Sequence, residues 1–109
     1  MAVTTIAHKP SLTKEQAQEI FRRQFEGKYK VEAWKGAIVG GRDFLIIKNP
    51  LVGVAVKLEQ GQNETKFVYG GIAPKLWARV LFSGLASLLL WNGITGEVRD
   101  FIESADEFR

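Results

Sequence analysis

The feature that most restricts this chain is an apolar run near its C-terminal end. Val80-Leu-Phe-Ser-Gly-Leu-Ala-Ser-Leu-Leu-Leu-Trp91 holds twelve residues without a charge. Read as a helix, with Ser83 and Ser87 as its only polar marks, the run is apolar on nearly every side. Packing one side on a small sheet would leave the rest in water, so it must be covered more completely. Three covers are conceivable: the chain's own domain, a second copy of the chain, or the surface of a bilayer. Twelve helical residues reach about 18 Å, well short of the roughly 30 Å hydrocarbon core, so spanning is disfavoured. Lengthening the run to residues 76–95 brings in Arg79, Asn92 and Gly93. Trp77 and Trp91 flank it as interfacial anchors would.

The rest of the chain supplies the domain around that helix. With 109 residues, 46% hydrophobic and 25% charged, it has the balance of a single globular unit. There is no cysteine, which rules out disulfides, thiolate catalysis and Cys-type zinc sites and suits a reducing compartment. The opening residues lack the basic and apolar segments of a secretory signal, so the expected location is cytoplasmic, with peripheral membrane association as a variant. Residues 1–12 read as a flexible leader and 13–109 as one domain.

Within the domain the clearest element is a helix from Thr13 to Glu26. Thr13 with Gln16 forms a capping-box pattern. Ala17, Ile20, Phe21 and Phe25 lie along one helical face, and Gly27 supplies a left-handed stop. A strand-rich block follows over 28–73. Lys28–Trp34 alternates, Ala37–Val39 extends it or forms a short strand, and Asp43–Lys48 is apolar on both faces. After Asn49-Pro50, Gly53–Glu59 points Val54, Val56 and Leu58 inward, and Thr65–Tyr69 returns with Phe67 and Tyr69 inward. Short connections favour an antiparallel meander of three to four strands. Beyond Pro74 a second helix covers 75–91, and Gly93 and Gly96 break or kink it. A short amphipathic helix from Glu97 places Val98, Phe101, Ile102, Ala105 and Phe108 on one stripe. The expected class is α+β, in the order α-β-β-β(-β)-α-α.

Chemistry is sparsely represented. The one histidine, His8, falls in the leader, where a mobile tail residue is expected rather than a general base. No spacing of His, Asp and Glu matches a metal site, and no cofactor or small-molecule substrate is implied. Gly40-Gly41-Arg42-Asp43 lacks the lysine and hydroxyl of a phosphate loop and reads as a turn. Glu97, Asp100, Glu103 and Asp106 read as a solvated acidic face. An enzyme is not expected.

Two surfaces remain as contact candidates. One is the apolar helix, through Trp77, Arg79, Leu81, Phe82, Leu85, Leu88, Leu89 and Trp91, meeting a second subunit or a membrane surface. Residues 97–109 carry five acidic side chains against two basic ones, and anionic lipid would repel them. A homodimer is therefore preferred. The other candidate is a sheet face collecting Lys28, Lys30, Trp34, Phe44, Lys48, Lys57 and Lys66, the lysine and aromatic mixture that single-stranded nucleic acid binders use. Glu32 and Glu59 interrupt it, so nucleic acid is the lesser alternative.

Overall fold

The computed structural model describes residues 2–34, 42–49, 52–72 and 85–109. The described residues form a small α+β domain in which two helices pack against a five-stranded antiparallel sheet. The elements are β1 (Ala2–Ile6), α1 (Lys14–Phe25), β2 (Lys30–Ala33), β3 (Phe44–Asn49), β4 (Val52–Gln60), β5 (Thr65–Ile72) and α2 (Leu85–Ser104), then a 3-10 turn at Asp106–Phe108. The strand order is β1-β5-β4-β3-β2. The expected meander is β2 to β5, and β1 adds a fifth strand.

α1 forms where its local signals place it. Thr13 Oγ1 accepts from Gln16 N at 3.1 Å, and Gln16 Oε1 accepts from Thr13 N at 3.0 Å, closing the capping box. At the other end Gly27 takes φ +82°, a conformation that costs a glycine nothing. The carbonyl of Phe25 then accepts from both Lys28 N and Tyr29 N. Those two residues complete the helix turn, so β2 begins at Lys30 and not at Lys28.

Residues 2–6 depart from the expected flexible leader. Val3, Thr4, Thr5 and Ile6 are β-branched and stiff in the extended state. They pair with β5 in the register Ala2↔Tyr69 to Ile6↔Thr65. The segment after β1 is tied as well. The buried Thr65 hydroxyl accepts from Lys9 N at 2.9 Å and donates to Gln60 Oε1 at 2.6 Å. Gln60 Nε2 in turn donates to the carbonyls of Lys9 and Leu12. His8 Nδ1 lies 3.3 Å from the same hydroxyl, so the histidine sits beside a fixed polar network rather than on a loose tail.

The second departure is at the C-terminal end. Gly93 and Gly96 lie inside one helix, α2, which runs without a break from Leu85 to Ser104. A helical glycine costs only about 1 kcal/mol relative to alanine. Burial of Ile94, Val98, Phe101 and Ile102 on the sheet outweighs that. The final amphipathic stripe is the second half of this helix, completed by Ala105 and by Phe108 in the 3-10 turn.

The core lies between the sheet and the helices, and it is aromatic. Phe21 sits at its centre, with ring centroids 5.0 Å from Phe44, 5.2 Å from Phe101, 5.5 Å from Phe67 and 5.8 Å from Phe108. Phe25 joins at 6.4 Å. Every phenylalanine among the described residues belongs to this cluster. Strand parity supplies the rest. Ile46 pairs with Val54 and Phe44 with Val56. Leu58 pairs with Phe67 on the same face.

Candidate contact surfaces

The strand register sorts the proposed lysine and aromatic face into two groups. Phe44 pairs with Val56, a core residue, and is itself fully buried. It therefore belongs to the helix-facing side, with Ile46, and cannot stack a base on the outer face. The sequence of β3 is apolar at every one of its first four positions, so its parity is set only by pairing with β4.

The outer face carries rows of paired residues. One row runs Glu59↔Lys66↔Thr5, another Lys57↔Val68↔Val3, and a third Glu32↔Leu45↔Ala55↔Gly70. Two of its lysines are paired with carboxylates. Lys30 Nζ lies 2.8 Å from Glu32, and Lys66 Nζ lies 3.7 Å from Glu59 and 3.5 Å from Glu64. Leu45 and Ala55, in the middle of the face, are buried. Lys48 is exposed at the irregularity between Ile47 and Asn49. Trp34 is half-buried at the end of β2, where its N–H donates to the Asp43 carbonyl. Among the described residues Glu32, Glu59 and Glu64 thus interrupt the positive charge of this face at Lys30 and Lys66.

Lys28 leaves that face altogether. Its ammonium donates to Glu97 Oε2 at 2.8 Å, and the Tyr29 hydroxyl donates to Glu97 Oε1 at 2.9 Å. Lys28 Nζ also stands 5.3 Å from the Tyr29 ring centroid. Glu97 is thus half-buried and ties α2 to the turn after α1, where a solvated carboxylate was expected. The hydrogen bond from Lys28 is the main cause that holds its carboxyl below the usual range. Burial, then the bond to Glu97, raises the Tyr29 phenol. No signal in the sequence joins positions 28, 29 and 97, because the contact exists only once both helices dock. Beside it lies an open groove of about 320 Å³ lined by Gln24, Phe25, Asp100, Phe101 and Ser104. It is a charge-rimmed depression, unlike the enclosed apolar pockets that hold small ligands.

Asp43 has a structural task. Strand β4 extends past the start of β3, which leaves the Leu58 N–H without a strand partner on that side. Asp43 Oδ2 accepts it at 2.7 Å. Among the described residues no group of three or more His, Asp and Glu side chains gathers as a metal site.

For the apolar helix, Trp77, Arg79, Leu81 and Phe82 lie outside the described residues, as do Ala37–Val39, Gly40-Gly41, Pro50 and Pro74. Leu85, Leu88, Leu89 and Trp91 lie in the first two turns of α2. The domain-facing stripe of that helix is Ile94, Val98, Phe101 and Ile102. Among the described residues no helix is long and apolar enough to cross a membrane.

No family model matches the chain, and neither a curated protein nor a solved structure matches it.

Proposed function

We propose that this protein is a small interaction module without chemistry of its own, and that the apolar helix over residues 75–91 makes its contact. The observation that carries the reading is the continuity of α2. One stripe of the helix serves the domain core, and the charge-free run over residues 80–91 that leads into it holds more apolar side chains than one stripe can take. Burying each such side chain stabilises by roughly 1.5–3 kcal/mol, which favours a partner over water. A second copy of the chain is the preferred occupant. The exposed Asp100, Glu103, Asp106 and Glu107 at the other end of the helix support that choice, because they oppose docking on anionic lipid. The cysteine-free composition supports a reducing, cytoplasmic setting.

The test combines light scattering across a concentration series with sedimentation on anionic vesicles. The wild type is expected to show a mass above that of one chain at micromolar concentration. Leu85→Glu with Leu88→Glu should halve that mass while keeping the circular dichroism spectrum. Co-sedimentation of the wild type with the vesicles would replace the second copy by a membrane surface. A strict monomer that ignores vesicles would overturn the proposal.

A further inference from the structure

The two edges of the sheet are built differently. Strand β2 is four residues long and carries Lys30 and Glu32, paired at 2.8 Å on its outward side. Short length and charge are the usual guards of an exposed edge. Strand β1, five residues long, lacks the charge. Ala2-Val-Thr-Thr-Ile6 is uncharged, contains no proline and forms an unbroken five-residue ladder with β5. Its other edge has no strand partner among the described residues, and the nearest cap is the Phe108 carbonyl, which accepts from Ala7 N just beyond the strand. Val3, a hydrophobic residue 55% exposed, stands on this strand.

We infer that β1 is a pairing edge for β1 of a second copy, joined antiparallel about a two-fold axis through Thr4 into a ten-stranded sheet. The strand is complementary to itself in that arrangement. Full overlap sets Thr4 against Thr4 of the second copy, Val3 against Thr5 and Ala2 against Ile6. Threonine and β-branched neighbours are favourable cross-strand pairs. Parity is kept, so Ala2, Thr4 and Ile6 stay on the helix side and Val3 and Thr5 on the outer side. Pairing β1 with β2 of the next copy would propagate without end, and the charged, short β2 opposes it. The self-pairing closes on itself and consumes the uncharged edge.

This inference is independent of the apolar helix, and its test separates the two. Val3→Glu with Thr5→Glu sets like charges directly opposite one another across the axis. Val3→Lys with Thr5→Glu sets opposite charges there instead. Thr5→Glu faces Lys66 of β5 equally in both, so its effect within one chain is shared. Light scattering should show the mass halved in the first variant and kept in the second, with both folded by circular dichroism. Amide exchange of β1 should quicken only in the first. Equal masses for the two variants, whether both reduced or both unchanged, would overturn the proposal, and so would a wild-type monomer with rapidly exchanging β1 amides. The double glutamate change at Leu85 and Leu88 should leave the protection of β1 in place.

Discussion

The two helices among the described residues are made by different rules. α1 is twelve residues long, bounded by a capping box at Thr13 and a left-handed glycine at position 27. It presents Ala17, Phe21 and Phe25 to the core and charged residues to water. α2 is twenty residues long and holds two glycines within its span. Nothing local explains why it passes them. What carries it through is the sheet beneath Ile94, Val98 and Phe101 and the ion pair at Glu97. One helix is bounded by its own sequence, and the other is held in shape by what it packs against.

The largest expected effect tests how far α1 organises the core for both helices. Phe21→Ala removes the ring that touches aromatic residues from α1, β3, β5, α2 and the 3-10 turn. It should cost about 3–5 kcal/mol in urea unfolding, enough to threaten folding of so small a domain. A loss below about 1 kcal/mol would mean that the cluster repacks and that α2 does not depend on α1.

Glycine separates the helices more sharply, because one substitution should act with opposite signs. Gly27→Ala forces an alanine to φ +82° and should destabilise by about 1–2 kcal/mol. Gly93 is exposed, and a methyl group built there meets no atom within 4 Å. Gly93→Ala should therefore stabilise by about 0.5–1 kcal/mol. A destabilising result at position 93 would place a break in α2 after all.

The smallest effect probes the tie between them. Glu97 has its carboxyl held low by Lys28, so its folded form favours the charged state. The stability it contributes is complete above the ordinary carboxylate range and is lost as pH falls through the lowered folded value. The raised Tyr29 phenol works from the other side, since its neutral form is favoured, and that contribution fades as pH rises past 10.0. The pair is partly solvated, so Glu97→Gln should cost no more than about 0.5–1 kcal/mol at neutral pH. Its clearer signature is a flatter acid limb in the plot of stability against pH. An unchanged acid limb would show that the contact at Glu97 does not survive in solution.

The chain itself determined whatever depends on near neighbours. The capping box, the stripe of α1, the stop at Gly27 and the inward set Val54, Val56, Leu58, Phe67 and Tyr69 all follow from spacing. Period-2 and period-3.6 patterns are properties of a few successive residues. The elements that only tertiary structure decided are those whose local signal was neutral. Residues 2–6 are too few to prove a strand until β5 offers its edge. Phe44 lies in a run apolar on both faces, so only its register with Val56 turns it inward. Glu97 shares a stripe with solvated acids, and only the docking of α2 beside Lys28 and Tyr29 singles it out. Helix and strand periods are local, whereas strand neighbours, parity of uniform strands and ion pairs across 69 positions are set by burial of the whole core at once. The same holds for the proposed contacts: the apolar run over 80–91 can be read from composition alone, while the uncharged edge of β1 exists only because four other strands leave it outermost.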